Sequence, residues 1–269
     1  MFFDVPRFHV GGETLHATGF HEEWGGKGFN QAVAAARQGA AVAFLGKVGN
    51  EADSRAVCDF CRAEGIAPSV RFPANSPRPT ACAAILTDGT GETRVTVARG
   101  DELEAADVDS CFGDAIAAAD FLLLNNEVPE AVNLRASEVA AGSGVRIVYN
   151  PAPARPIPAE LASRAFLFTP NESEEAALGD VPCEVVTTLG ARGCRIRSTG
   201  EIVPAVFCGK PVDSTGAGDA FTATLAVRLA EGESLRDACR AANAAAGESV
   251  TVRHVMPSLP RRRAIATGT

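Results

Sequence analysis

The segment VDSTGAGDAF (residues 212–221) has the residue types and the spacing for phosphate chemistry. Gly216 and Gly218 allow tight backbone turns, and the apolar-faced stretch that follows them predicts a helix. The backbone N–H groups of Gly216, Ala217, Gly218 and Asp219 would then lie unpaired at the N-terminus of this helix. Such a helix end is a site where anions bind.

Asp219 is an acidic side chain among these anion-binding amides, and two interpretations of it are open. The carboxylate can cap its own helix. It can instead take a proton from a hydroxyl group while the amides hold the charge of a transferring phosphoryl group. The segment alone does not decide between the two.

Other common phosphate-binding and catalytic motifs do not occur in the sequence. A Walker-type motif is absent because Lys27 is followed by Gly28 rather than by Ser or Thr, and no G-x-G-x-x-G opens a helix after a strand. Neither G-x-S-x-G nor H-E-x-x-H is present. Since the chain has only 4 histidines, we expect neither histidine-based catalysis nor a histidine metal site.

The composition indicates one sizeable domain and argues against nucleic acid as a partner. A chain of 269 residues with 46% hydrophobic content can bury one large core. Its net charge is -8, and the longest basic run is RRR at 261–263. Because a short run of this kind near a terminus is usually solvated, we expect no nucleic-acid binding.

The sequence predicts neither a membrane span nor a secretory signal peptide, so we expect a cytoplasmic protein without a membrane partner. Its 8 cysteines are scattered in apolar contexts rather than set in a disulfide framework, which agrees with a reducing compartment. Cys58 and Cys61 form a C-x-x-C, but the surrounding pattern is helical and no second pair follows. This favours buried helix residues over a zinc or redox site.

Helical and apolar strand-like segments alternate along the chain. The pattern predicts helices over 30–40, 51–64 and 129–141, a hairpin over 80–98, and strands within 41–49, 117–125, 145–153, 164–172 and 183–193. Strands that are apolar nearly throughout and alternate with helices are typical of a parallel sheet covered on both faces. The predicted fold class is therefore α/β.

Polar residues follow the predicted strands, at the sheet edge where ligands of α/β proteins bind. They are Gly46 to Gly49, Asn125 to Glu127, Asn150, Thr169 to Glu172 and Thr188 to Gly193. Each set taken alone is more typical of an ordinary turn. Their convergence on one edge is what suggests a ligand site.

Five motifs together resemble the ribokinase family of carbohydrate kinases, in which they occur in the same order. They are GGKGFNQAVAAARQGAAVAFLGKVGN (25–50), NPAPA (150–154), TPNESE (169–174), TLGARG (188–193) and DSTGAGDAF (213–221). The resemblance extends from about Gly12 to Pro260. It implies a single domain over 1–269, a three-layer sandwich with a mostly parallel central sheet, and a small β lid formed by about 10–24 and 80–98.

The resemblance also implies an activity: transfer of the γ-phosphate of ATP to a hydroxyl of ribose or a similar pentose. Asp219 matches the general base, and Gly216, Ala217 and Gly218 match the anion hole for the phosphate. The substrate-binding positions that match are Gly26, Lys27, Gly28, Asn30 and Glu127.

Further positions match the family's nucleotide and ion sites. ATP-binding positions are Asn171, Thr188, Leu189, Gly190, Ala191, Arg192, Gly193 and Asn243. Glu174 matches a residue that holds Mg2+ through water, and Asp213, Thr215 and Ser258 match ligands of an activating monovalent cation such as K+. The family also implies ATP as cosubstrate and a homodimer through the β lid.

Two departures from the family pattern leave an alternative open. Family members begin with a strand that reads like VVVGSINxD, whose Asn and Asp bind the sugar, whereas this sequence begins with MFFDVPRFHVGGETL, which corresponds to the part after that strand. A helix usual in the family is also absent between Asp180 and Val185. We therefore expect either a start upstream of Met1 or, as the alternative function, a catalytically impaired pseudokinase or a sugar- or nucleotide-binding paralogue.

Overall fold

The computed structural model describes residues 1–49, 55–71 and 78–262. The first part of the helix predicted over 51–64 and the last arginine of the RRR run lie outside these residues. Within them the strands are, in chain order, β1 (Phe2–Asp4), β2 (Gly19–His21), β3 (Val42–Lys47), β4 (Ile66–Arg71), β5 (Cys82–Thr87), β6 (Thr93–Ala98), β7 (Phe121–Asn125), β8 (Arg146–Asn150), β9 (Leu167–Phe168), β10 (Glu184–Thr188), β11 (Cys194–Ile196) and β12 (Ile202–Val203).

The helices agree with the predicted positions where the sequence pattern was strong. In chain order they are α1 (Lys27–Arg37), α2 (Ala56–Ala63), α3 (Ala105–Asp107), α4 (Gly113–Ala117), α5 (Glu130–Gly142), α6 (Ala159–Arg164), α7 (Glu172–Leu178), α8 (Ala217–Ala230), α9 (Leu235–Ser249) and α10 (Val255–Ser258). A π-helical turn, Val108–Phe112, joins α3 to α4. Among the described residues, no helix is long and apolar enough to cross a lipid bilayer.

The chain forms two compact units. The smaller unit consists of Met1–Trp24, Gly46–Asp59 and Val70–Glu102, and the larger unit consists of Gly25–Leu45, Phe60–Ser69 and Leu103–Thr269. The candidate catalytic, substrate-binding, ATP-binding and metal-binding residues from the sequence belong to the larger unit, whereas the strand end Gly46 to Gly49 belongs to the smaller unit.

The smaller unit contains a four-stranded sheet in the order β2-β1-β5-β6. β1 pairs antiparallel with β2 and parallel with β5, and β5 and β6 form an antiparallel hairpin. The Asp88 side chain organises the hairpin turn, since its Oδ1 accepts hydrogen bonds from the backbone N–H groups of Thr90 and Glu92. The hairpin predicted over 80–98 is thus confirmed, and the sheet also includes the chain start at Phe2–Asp4.

The larger unit is built on a six-stranded sheet in the order β12-β11-β10-β9-β8-β7. The four strands β7 to β10 are parallel to one another. β11 pairs antiparallel with β10, and β12 pairs antiparallel with β11. Consecutive residues of one strand point to opposite faces. Val148 of β8 accordingly packs with Phe221 and Leu225 of α8, whereas Ile147 and Tyr149 pack into the other core. Helices therefore cover both faces, as the sequence predicts for a three-layer α/β fold.

One strand lies elsewhere than the sequence predicts. The segment 41–49 reads as a strand of the parallel sheet, but β3 pairs with β4 in a separate two-stranded sheet. The sequence does not predict β4 because Pro68 interrupts its pattern, and proline is unfavourable within a central strand. Because the pattern offers β3 no other partner, the sequence predicts it in the main sheet.

The segment between β12 and α8 packs against α9 and is hydrogen-bonded to the residue that follows it. The Val206 carbonyl lies so close to α9 that a Cβ atom built on Gly247 would be 1.9 Å from its oxygen. Further along, the Val212 N–H donates to the Val250 carbonyl at 2.8 Å. This attachment fixes where Asp213 and the start of α8 lie.

Substitution of Gly247 by alanine tests this close approach. In an open helix position, alanine in place of glycine stabilises the fold by about 0.5–1 kcal/mol. At Gly247 the added methyl group overlaps the Val206 carbonyl, so we expect Gly247→Ala to lower the free energy of unfolding by about 2 kcal/mol or more. Gly142→Ala is the matched control, because no atom lies within 4 Å of a Cβ atom at this helical glycine. Chemical denaturation of both variants checks the opposite signs, and wild-type stability of Gly247→Ala would contradict the packing described.

Candidate active site

Gly216 shapes the start of α8. Its φ of 81° lies in the left-handed region, and a Cβ atom there would be 2.7 Å from Cγ1 of Val255. Only glycine satisfies both conditions without strain. In the described part of the chain no side chain caps α8, and the Ala217 N–H donates to the Ser214 carbonyl at 3.2 Å. The N–H groups of Gly218 and Asp219 follow in the first turn, where an anion can be bound.

Asp219 does not cap its helix, because among the described residues no side-chain cap hydrogen bond forms at α8, and both carboxylate oxygens accept instead from side chains of α1. Asn30 Nδ2 donates to Oδ2 at 2.8 Å, and Gln31 Nε2 donates to Oδ1 at 3.0 Å. The residue is only 5% exposed. Of the two interpretations left open by the sequence, helix capping is therefore excluded by the geometry.

The environment of Asp219 makes its carboxylate more basic than usual. Burial raises the pKa of Asp219, while the positive charge of Lys27 and the hydrogen bonds from Asn30 and Gln31 oppose this effect, and the net direction is upward. A buried carboxylate with a raised pKa and fixed donors is suited to accept a proton from a bound hydroxyl group.

Glu127 lies at the end of β7 and is tied to the glycine-rich start of α1. Its Oε2 accepts a hydrogen bond from the Lys27 backbone N–H at 2.6 Å, and its own N–H donates to Asn125 Oδ1 at 2.8 Å. A Cβ atom on Gly28 would be 3.3 Å from Nδ2 of Asn125, so the first turn of α1 is in close contact with the strand end. Burial raises the pKa of Glu127, and the negative charge of Asp219 acts in the same direction.

A cavity of about 200 Å³ is lined by residues from several of the predicted sets. The residues that line it are Lys27, Asn150, Ala152, Thr169, Asn171, Glu174, Thr188, Ser214, Gly216, Gly218 and Asp219. It thus contains members of the predicted catalytic, substrate-binding, ATP-binding and magnesium sets. Asn30 and Glu127 connect to it through their bonds with Asp219 and Lys27.

Asn171 and Glu174 form a capping box at the start of α7. Asn171 Oδ1 accepts from the Glu174 N–H, and Glu174 Oε2 accepts from the Asn171 N–H, both at 2.8 Å. The described residues hold no group of three or more His, Cys, Asp or Glu that could bind a metal ion by themselves. A Mg2+ ion bound to nucleotide phosphates keeps several waters and needs few protein ligands. Besides Asp219, the cavity is lined by the carboxylate of Glu174, which fits such an ion.

The loop 188–193 is held beside this capping box. The Thr188 N–H donates to the Pro170 carbonyl at 2.8 Å, and Gly190–Arg192 form a 3-10 turn. Arg192 is exposed and paired with Glu172 at 2.5 Å. A Cβ atom on Gly193 would be 2.1 Å from the Val203 oxygen, so this glycine is needed for the approach of β12.

Asn243 and the predicted cation ligands lie outside the lining of this cavity. Asn243 is buried, and its Nδ2 donates to the carbonyls of Val203 and Pro204 at 3.0 and 3.1 Å. Asp213 accepts backbone N–H groups of Thr215 and His254 at 2.9 Å each. Each carboxylate oxygen of Asp213 is therefore hydrogen-bonded to the backbone. Ser258 lines a second cavity of about 390 Å³, and its hydroxyl donates to the Val255 carbonyl.

Gln31 is the site residue that the sequence analysis missed. Asn30 and Gln31 both lie in the motif 25–50, but only Asn30 matches a substrate-binding position, and a glutamine in an alanine-rich helix gives no signal by type or spacing. Consecutive helix residues also point in different directions, so nothing in the pattern assigns both to one carboxylate. Asn125 and Asn150 were noted only as polar strand ends.

Comparison with known proteins gives matches over nearly the whole chain. The sequence matches the pfkB family of carbohydrate kinases over residues 2–262. It is 34% identical to ribokinase from Bacillus subtilis, over 94% of this chain and 90% of that protein. The structure of ribokinase from Giardia lamblia has a TM-score of 0.86 at 27% identity, with coverage of 97% of this chain and 92% of that chain. Arabidopsis thaliana ribokinase complexed with ribose and ATP has a TM-score of 0.81 at 25% identity, with coverage of 96% and 91%. The expected fold is confirmed.

The raised pKa of Asp219 predicts a pH-dependent stability. An acid whose pKa is higher in the folded than in the unfolded state is stabilising when protonated, so the wild-type protein loses stability as pH rises from the usual aspartate range through the raised value. Asp219→Asn removes this loss. We expect the difference in unfolding free energy between Asp219→Asn and wild type to shift in favour of the variant between pH 4 and pH 8.

Thermal unfolding at several pH values measures this difference. Asp114→Asn, at an exposed position, controls for the loss of one negative charge. A difference between Asp219→Asn and wild type that stays constant across the pH range would show that burial does not raise the pKa of Asp219.

Proposed function

The chain belongs to the pfkB family of carbohydrate kinases, and we propose that it transfers the γ-phosphate of ATP to a hydroxyl group of ribose or a similar pentose, with Asp219 as the general base. The observation that carries this proposal is the buried Asp219 carboxylate, which lies in the first turn of α8 and lines the same cavity as Gly216, Gly218 and Lys27. Base and anion site are thereby adjacent.

In the proposed reaction the substrate hydroxyl gives its proton to Asp219, and its oxygen forms a bond to the γ-phosphorus. The bond between the γ-phosphorus and the bridging oxygen of ATP breaks, and ADP leaves with the electron pair. The N–H groups of Gly218 and Asp219 at the start of α8 would hold the phosphoryl oxygens. Lys27 adds positive charge near Asp219.

We favour ribose and ATP as substrates because of what the similar proteins are named for or are complexed with. The similar Bacillus subtilis protein is a ribokinase, and the Arabidopsis thaliana structure was determined with ribose and ATP. We assign to Glu174 the role of holding Mg2+ through water, while the nucleotide phosphates supply further ligands. An activating K+ near Asp213, Thr215 and Ser258 is part of the same proposal.

The location and assembly expected from the sequence also belong to this proposal. The small β lid and a homodimer through it are supported by apolar exposure in the smaller unit, where Phe20 and Val97 are each 61% exposed. Apolar side chains exposed to this extent on a sheet favour a protein contact. We also propose a cytoplasmic location.

The decisive test is sugar-dependent ADP release by the purified chain with Mg-ATP and K+. We expect release with D-ribose or a related pentose from a panel of pentoses, hexoses and nucleosides. Asp219→Asn should lower turnover at least about 100-fold, because the proton acceptor is lost. ATP binding by calorimetry should stay close to wild type.

Two other outcomes have different meanings. Wild-type turnover in Asp219→Asn would show that another group is the base. ATP binding without turnover in the wild-type protein, across the whole panel, would favour the alternative of a catalytically impaired paralogue.

Glu174→Gln tests the magnesium role separately from the fold. Glutamine preserves the capping box, because its amide oxygen can still accept the Asn171 N–H. The lost negative charge should raise the Mg2+ concentration needed for half-maximal activity about ten-fold. Glu175→Gln, on the same helix but paired with Arg195, is the matched control and should leave the Mg2+ requirement unchanged. Equal Mg2+ requirements in both variants would refute the role of Glu174.

A further inference from the structure

Gln31 is a polar side chain buried in a mainly apolar part of α1. It is 1% exposed and lies on α1, in a helix whose other buried side chains are mainly alanine, valine and phenylalanine. Its amide oxygen, Oε1, has no hydrogen-bond partner among the described residues. Since an unpaired buried acceptor is unfavourable, packing alone does not explain a glutamine here.

The amide nitrogen of Gln31, in contrast, is used twice. It donates to Asp219 Oδ1 at 3.0 Å, and it lies 3.4 Å from Asn150 Oδ1. An amide NH2 group has two hydrogens, so both bonds can form together. The nitrogen is thus the functional end of this side chain.

The orientation of this amide is set by a chain of hydrogen bonds that starts at the main sheet. Asn150 Nδ2 donates to the Thr169 carbonyl at 2.7 Å, which turns Asn150 Oδ1 towards Gln31. Asn150 Oδ1 in turn accepts from the Gln31 NH2 group, which faces Asp219. The backbone after β9 thereby determines which way the Gln31 amide points.

We propose that Gln31 is a positioning residue for the phosphoryl transfer: its NH2 group holds Oδ1 of Asp219 and keeps the carboxylate oriented and ionised for the substrate hydroxyl. This inference rests on the proposed function. Each carboxylate oxygen can accept more than one hydrogen bond, so the bonds from Gln31 and Asn30 leave acceptor sites for a substrate proton.

The charged groups that act on Asp219 are few. Lys27 favours its ionised form, and the carboxylate of Glu127 interacts with it unfavourably. Neither is altered when Gln31 is replaced by methionine, which has a similar length but no N–H donor. Loss of one hydrogen bond to the charged form should raise the pKa of Asp219.

The test is the pH dependence of kcat/KM for Gln31→Met and Gln31→Glu. A base must be deprotonated to act, so a higher pKa moves the acidic limb of the profile to higher pH. For Gln31→Met we expect a shift of roughly one pH unit, with kcat lowered about ten-fold at neutral pH and KM for both substrates within about two-fold of wild type. Gln31→Glu, which nearly preserves the shape but adds a negative charge, should shift the limb further in the same direction.

Gln38 provides a matched control. It is also a buried glutamine, and it directly follows Arg37, the last residue of α1. Its Nε2 donates to the Pro260 carbonyl at 2.9 Å. Gln38→Met should lower the unfolding temperature and leave the pH profile unchanged. If Gln31→Met also has the wild-type profile and a kcat within two-fold of wild type, Gln31 is only a packing residue and the proposal fails.

A readout without turnover separates this proposal from the proposed function. If the wild-type chain releases no ADP with any sugar, the kinase proposal fails, but the link between Gln31 and Asp219 is still tested by pH-dependent unfolding. Gln31→Met should lose more stability than wild type between pH 4 and pH 8, and the double variant Gln31→Met/Asp219→Asn should lack this extra loss. Equal pH dependence of Gln31→Met and wild type would overturn the proposal.

Discussion

The burial of one carboxylate is the constraint that governs this site. Ionised Asp219 would be strongly unfavourable in the interior unless donors and positive charge compensate it. Asn30 and Gln31 of α1 supply the donors, and Lys27 at the start of the same helix supplies the charge. The packing of α1 against α8 is therefore an electrostatic requirement as well as a hydrophobic one.

Backbone geometry at a few glycines brings the other groups to this carboxylate. Gly26, with a φ of 96°, precedes α1 and lets the Lys27 N–H reach Glu127. Gly216 begins α8 in a left-handed conformation, and Gly247 allows the segment before α8 to lie against α9. The position of the anion site depends on these glycines. Parallel strands β8 and β9 complete the site from the sheet side through Asn150 and Thr169.

The sequence predicts much of the fold because its strongest patterns are local. Apolar strands β7, β8 and β10 and helices α5 and α8 follow directly from periodicity. The sequence does not predict elements whose position depends on strand pairing. Pro68 interrupts the strand pattern of β4, so β4 is not predicted and β3 has no predicted partner. Helix α9 was overlooked although Ser234 and Asp237 form a capping signal, since Ser234 accepts from the Asp237 N–H. Asp219 was identifiable from its glycine-rich segment, whereas Gln31 was not, because its role comes from a contact 188 residues away in sequence.

The central claim is that this cavity transfers a phosphoryl group to a sugar hydroxyl with Asp219 as the base. Phosphorus NMR of a reaction with Mg-ATP, K+ and D-ribose tests it most directly, because it identifies the product rather than only nucleotide turnover. We expect equal amounts of ADP and a new sugar phosphate monoester in the wild-type reaction, and neither in Asp219→Asn. ADP with inorganic phosphate alone, or the same monoester signal from Asp219→Asn, would contradict it.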